Sequence, residues 1–275
     1  MNNKLIYIFL IIVLCFSCSK KEPIVEELAT EEKSFAIYKE ALDSMEAGDL
    51  FYASKKFEEA EAVLPKIEYS AKALLMSSFC LYTINFYDES LSALEKYIAK
   101  YPADKNIPYA HFLIANIYYE QILDEKKDLK PLLRTKEKIN FYLKTFPNSD
   151  YALDLEFKLD LVNNQLAAKE LYVAKYYIST QKWIAAINRL KVITKDYDQT
   201  IFVEEALHRL VEIYYKIGLV EEAKEIAILL GYNYNSSEWY QMSYKVLNKE
   251  YKIPKKSDLK NNEGLIKRTI KKILN

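Results

Sequence analysis

The chain has 275 residues with only 4 Gly and 7 Pro but 24 Tyr, and its 39 Lys and Arg balance 39 Asp and Glu. So few turn-forming residues exclude a β-sandwich or barrel, which needs many tight turns, and a net charge of zero leaves no global basic field to attract nucleic acid. A hydrophobic share of 51% supplies a real core, and long helices with short connections are the class that remains.

Met1–Lys4 is short and basic, and Leu5–Leu14 is an unbroken apolar run. Ten residues are too few to span a bilayer, which takes about 20, but they suit the apolar core of a secretory signal. Cys15-Phe16-Ser17-Cys18 and the polar Ser19-Lys20-Lys21-Glu22-Pro23 follow. Two readings compete for the paired cysteines. A redox or metal motif would need a folded βα context, whereas this pair sits in a membrane-inserting peptide. The other reading resembles a lipobox, in which a small residue (Ser17) precedes the acylated Cys18; Cys15 and Phe16 depart from the usual Leu and small residue. Similarity to bacterial lipoproteins implies that residues 1–17 are removed and that Cys18 carries several acyl chains, which anchor stably where one does not. The absence of Asp after Cys18 implies the outer membrane, with the protein on its periplasmic face. Residues 18–30 are then a lipidated tether. Cys80, on an apolar helical stretch, is expected in the core.

From residue 31 a pattern recurs: Ala53-x3-Phe57-x2-Ala60-x4-Pro65, then Ser90-x3-Leu94-x2-Tyr97-x4-Pro102 and Thr135-x3-Ile139-x2-Tyr142-x4-Pro147. Ala186-x3-Leu190-x2-Ile193-x4-Asp198 and Ala223-x3-Ala227-x2-Leu230-x4-Asn235 continue it. This looks like the second helix of a tetratricopeptide repeat. The small residue lets two helices approach, the residue four on packs into the neighbour, and Pro stops the helix; the last two repeats lack that Pro and should end less sharply. The partner helices read from Phe35, Tyr38, Leu42 and Met45, and from the segments Ala71–Tyr82, Tyr109–Tyr119, Leu171–Tyr177 and Ala206–Tyr215, with Gly218 as a stop. Wider spacing implies an insertion near Leu123–Lys130 and an extended or extra helix over Tyr151–Tyr177. The expected fold is all-α: five helix pairs in a right-handed tetratricopeptide superhelix over residues 31–244, with N-terminal repeats at 31–147 and C-terminal repeats at 151–244. Each unit alone leaves an apolar face exposed, so the stack folds as an array.

Residues 245–275 differ. Ten basic residues against three acidic give +7. Gly264–Leu274 reads either as a short basic amphipathic helix, with Leu265, Ile270, Ile273 and Leu274 on one side, or as a solvated tail.

No phosphate loop, nucleophile elbow or metal-ligand cluster is present in the sequence, so no catalytic residue, metal or cofactor is assigned beyond the lipid on Cys18. His111 and His208 are read as ordinary helix positions. The first helices of the N-terminal repeats bring Phe35, Tyr38, Phe79, Tyr82, Tyr109, Phe112 and Tyr119 to a groove face or to the inter-helix core. Aromatics with hydroxyl handles in a groove would suit an extended peptide. In repeat four, Trp183 reads as a packing anchor and Asn188 lies beside Arg189, whose fork suits a partner's carboxylate or a solvated face.

The lipobox, the five repeats, the longer third and fourth units and the stretch Ala174-Lys-Tyr-Tyr-x5-Trp183-x-Ala-Ala-Ile-Asn188-Arg189 together resemble the BamD family of outer-membrane protein assembly factors. Lys195-Asp196-Tyr197, Glu205-Ala206-Leu207 and Ser237-Glu-Trp239-Tyr240 extend the likeness, which covers residues 18–244. It implies a non-catalytic scaffold for inserting β-barrel proteins. The C-terminal repeats, with Trp183, Asn188 and Arg189, would contact the POTRA domains of a BamA-like barrel protein. The N-terminal repeats would receive unfolded outer-membrane precursors, and the resemblance admits further lipoproteins of the complex. The alternative is another periplasmic repeat lipoprotein, an adaptor for cell-wall or envelope enzymes.

Overall fold

The computed structural model describes residues 24–122 and 129–247, with only the backbone of 24–30. The expected signal peptide, Cys18, residues 123–128 of the insertion expected near Leu123–Lys130, and residues 248–275 lie outside them. Among the described residues there are eleven helices and no strand. They are α1 (Ile24–Glu46), α2 (Leu50–Val63), α3 (Ile67–Thr83), α4 (Tyr87–Lys100), α5 (Ile107–Glu120), α6 (Lys130–Thr145), α7 (Ala152–Ser179), α8 (Trp183–Asp196), α9 (Val203–Lys216), α10 (Val220–Asn233) and α11 (Glu238–Leu247). The helix α1 begins inside the segment read as tether, and α11 runs to Leu247, into the segment read as tail. The wide spacing before repeat four is one extended helix, the 28-residue α7.

Two compact units divide within α5, after Ala110. In the first, α1 packs on α2, α2 on α3 and α3 on α4. In the second, α6 packs on α7, α7 on α8, α8 on α9 and α9 on α10, with α11 against α9 and α10. Each unit has the helix-pair architecture of a tetratricopeptide array. The repeated sequence pattern is the reason: its three core positions in each of the five second helices, from Ala53, Phe57 and Ala60 to Ala223, Ala227 and Leu230, are all buried. Where the small residue carries a hydroxyl, it also ties the pair together. Ser90 Oγ donates to the carbonyl of Ser78 at 2.8 Å, and Thr135 Oγ1 to that of Tyr118 at 2.8 Å. Backbones must approach closely for this, which a larger side chain would prevent.

The expectation of blunter ends in the last two repeats is not met. The helices α8 and α10 stop two residues before Asp198 and Asn235, just as α2, α4 and α6 stop two residues before Pro65, Pro102 and Pro147. The shared device is the C-cap residue: Leu64, Tyr101, Phe146, Tyr197 or Tyr234 leaves the helical region while its N–H still reaches the carbonyl four back. Its own carbonyl then accepts the N–H of Asp104, Ser149, Thr200 or Ser237 in the last four cases, forming one repeated turn. Tyr97 and Tyr142 lock two of these turns, through hydroxyl contacts of 2.7 Å with Asp104 and Ser149. Part of the tyrosine excess is therefore dry core with anchored hydroxyls.

The turns inside pairs one, two, four and five share another geometry. Gly48, Asn85, Gln181 and Gly218 all have positive φ, at 85°, 63°, 58° and 86°. In each, the next residue's N–H bonds the carbonyl five back, as from Lys182 to Tyr177 at 2.8 Å. Glycine enters this region freely and asparagine tolerably, but glutamine does so at a cost of about 1 kcal/mol. Replacing Gln181 with Gly is expected to raise the melting midpoint by about 2–4 °C, and an unchanged or lower midpoint would contradict the strain.

Candidate protein-binding surfaces

In the first unit the expected aromatic face is mixed. Tyr38 is core: its ring meets Phe57 edge-on at 5.5 Å, and its buried hydroxyl has no protein partner among the described residues. Phe35 is half-buried against Tyr69, with ring centroids 5.1 Å apart. Phe79, Tyr82 and Tyr109 are half-buried too. Tyr82 continues into rings that the sequence reading did not single out. It lies 6.3 Å from Tyr87, whose chain neighbour Phe86 lies 5.6 Å from Phe51. Phe51 and Phe86 are 50% and 41% exposed, so an aromatic edge reaches solvent at the first two intra-repeat turns. Phe51 stands two residues before the buried Ala53 and off the core face of α2. That displacement was the available signal.

The same unit holds a buried carboxylate. Glu61 on α2 is 4% exposed and receives Lys96 Nζ at 2.8 Å, Lys100 Nζ and the hydroxyl of Tyr101 at 2.8 Å. Burial pushes its pKa upward, but these three donors outweigh burial and bring it down to about 2. The clamp fastens repeat one to repeat two.

In the second unit, Phe112 stacks on Tyr151 at 4.6 Å. Lys158 of α7 places its ammonium 5.8 Å from the Phe112 ring and 5.6 Å from Tyr119, bonding Asn116 at 2.5 Å and Asp154 at 2.8 Å. The α5 face of Phe112 and Tyr119 is thus filled by this lysine. His111 lies among Phe141 and Phe146, and burial and nearby Lys138 lower its pKa. Cys80 is buried in α3, and burial raises its thiol pKa to about 11.

Repeat four presents Trp183 half-buried at the start of α8, with Lys216 Nζ 4.8 Å from its ring. Asn188 and Arg189 are exposed one turn further along. Arg189 donates through one terminal nitrogen to both oxygens of Glu170 on α7, at 3.1 and 3.2 Å. That pair spans 19 residues, so spacing on one helix could not reveal it. The helix α11 is seated by a buried polar contact, His208 Nδ1 to Ser243 Oγ at 2.8 Å, with Trp239 5.4 Å from the imidazole. His208 Nε2 lies 3.5 Å from Glu212, whose pKa falls to about 2 through bonds from His208 and Arg209 that outweigh its burial.

Among the described residues no group of three His, Cys, Asp or Glu is placed to hold a metal, and no helix is long and apolar enough to cross a membrane. The candidate surfaces are an aromatic edge in the first unit and an arginine-bearing helix face in the second.

The YfiO family, described as outer membrane lipoprotein, matches residues 30–229. The outer membrane protein assembly factor BamD of Caulobacter vibrioides is 34% identical over 85% of this chain and 76% of its own length. The protein of that name from Rickettsia prowazekii is 34% identical over 89% of this chain and 95% of its own. The one from Neisseria meningitidis serogroup A is 26% identical over 73% and 79%.

Proposed function

This chain belongs to the YfiO family of outer membrane lipoproteins, and on that premise we propose that it is a non-catalytic docking component in the assembly of outer-membrane β-barrel proteins. In this reading Cys18 carries the lipid anchor, and the repeats face the periplasm. The C-terminal repeats hold the POTRA domains of a BamA-like barrel protein. The N-terminal repeats take up the extended end of an unfolded barrel precursor.

The observation that carries the docking half is Arg189. It is exposed, it uses one terminal nitrogen on Glu170, and Glu170 itself is well covered, with 14% of its side chain accessible. A guanidinium held in one orientation loses less entropy when it meets a partner's carboxylate. Trp183 at the start of the same helix supplies a rigid aromatic neighbour of the kind that anchors interfaces. For the precursor, support comes from the edge formed by Phe51, Phe86, Tyr87 and Tyr82. A strand ending in alternating aromatics can lay every second ring on such an edge, each ring pair adding about 0.5–1.5 kcal/mol.

The test is a mild-detergent pull-down of the tagged full-length chain from its own cell envelope. A large barrel protein with POTRA domains should co-purify, and Arg189→Glu should reduce its recovery at least tenfold, the scale of an interface hot spot. Glu170→Gln, which leaves the guanidinium charged but less fixed, should cost less. Recovery that Arg189→Glu leaves unchanged would remove Arg189 from the interface. Recovery of cell-wall enzymes and no barrel protein would favour the adaptor reading.

A further inference from the structure

The helix α7 is apolar on two opposite sides. Leu155, Val162 and Leu166 are buried between neighbouring helices. On the other side Leu153, Phe157 and Leu161, spaced by four, are 77%, 63% and 37% exposed. A helix of this composition is ordinarily covered on both sides, and large exposed apolar side chains in one row mark a contact surface. The row has an acidic setting. From Asp150 to Leu161 the chain carries Asp150, Asp154, Glu156 and Asp160 against the single Lys158, which is already bonded to Asp154. A matching occupant is apolar on one side and basic around it.

The chain contains such a segment. The 28 residues after Leu247 hold nine basic side chains and three acidic ones, and residues 264–274 carry Leu265, Ile270, Ile273 and Leu274 among Lys267, Arg268, Lys271 and Lys272. The reach is sufficient. The helix α11 contacts α9, α9 contacts α8 and α8 contacts α7, three steps of about 10 Å each, while residues 248–263 can span about 50 Å. We propose that the C-terminal segment of this chain docks on the N-terminal half of α7. It sets the apolar side of residues 264–274 on Leu153, Phe157 and Leu161 and its basic side chains against Asp150, Glu156 and Asp160. Docked there, it removes the row of Leu153, Phe157 and Leu161 from solvent.

The test places a photo-crosslinking benzoyl-phenylalanine at position 157 of the full-length chain in mild detergent, followed by irradiation, digestion and mass spectrometry. Cross-links to residues 264–274 should appear at monomer mass. Their yield should fall at least tenfold when Lys267, Arg268, Lys271 and Lys272 are all replaced by Glu, and the same probe at Tyr172, exposed on the far half of α7, should give at most a tenth of that yield. No cross-link to residues 248–275 would overturn the proposal. So would cross-links only at dimer mass, which would make a second copy the occupant, or a yield that charge reversal leaves unchanged.

Discussion

Replacing Glu61 with Ala is expected to lower the melting midpoint by about 6–12 °C, corresponding to about 2–4 kcal/mol. The carboxylate is 4% exposed and holds Lys96, Lys100 and Tyr101 of repeat two. Its loss leaves the buried Tyr101 hydroxyl without that acceptor and opens a void beside α4. The two lysines are half-exposed, at 53% and 50% of their side chains, so either can return to water at little cost. Lys96→Met or Lys100→Met should therefore each cost less than about 1 kcal/mol. Equal losses from all three variants would mean that the clamp is an ordinary surface ion pair. A melting midpoint unchanged in Glu61→Ala would remove the clamp altogether.

The same group sets an acid limit. The folded pKa of Glu61 is depressed from 4.5 to about 2. Its contribution is complete above pH 4.5, where the unfolded carboxyl is also ionised, and is lost as pH falls through about 2. The stability difference between the parent and Glu61→Gln should hence shrink steadily over that window. A difference that grows toward low pH would contradict the assignment. Glu212 is likewise depressed to about 2 in the second unit, so the parent's own acid curve sums at least two groups, and only the difference isolates Glu61.

The repeat pattern was legible because period and burial coincide: a helix pair that must hide one stripe repeats its small and large residues at the same offsets. Glu61 was legible in principle, since it follows Phe57 by four and so shares the core face. Glu58 and Glu59 just before it nevertheless give the stretch the look of a solvated surface. The C-cap aromatics Tyr101, Phe146, Tyr197 and Tyr234 are masked in the sequence by the proline that follows three of the five second helices, a stronger helix-stop signal than an aromatic side chain. The binding surfaces were the least legible. A first helix has apolar residues facing both its partner and the next repeat, so Tyr38 and Tyr82 look alike in sequence although one is core and the other borders solvent. Phe112 and Tyr119 carry no sign that Lys158, about forty residues on, fills their face.

Gly231→Ala should destabilise the chain by about 1–3 kcal/mol, although alanine for glycine inside a helix ordinarily adds about 1 kcal/mol of stability. The reason is the approach of α11. A Cβ on Gly231 would lie 2.6 Å from Cε2 of Tyr240 and 3.0 Å from its Cζ. That ring is buried at 7% exposure, so it has little room to swing aside. The helix α11 must lift, which strains the His208–Ser243 contact and uncovers Leu230 and Leu247, core residues of the last repeat. The helix α11 covers an apolar face that the α9–α10 pair would otherwise leave exposed. The loss should be local, with amide-exchange protection falling over residues 238–247 and unchanged in α8. Tyr240→Leu, which removes the phenol, should cost stability alone but recover much of it in the Gly231→Ala background, so that the double variant is less damaged than the sum of the two. Additive losses, or a Gly231→Ala chain as stable as the parent, would show that the ring does not depend on the glycine.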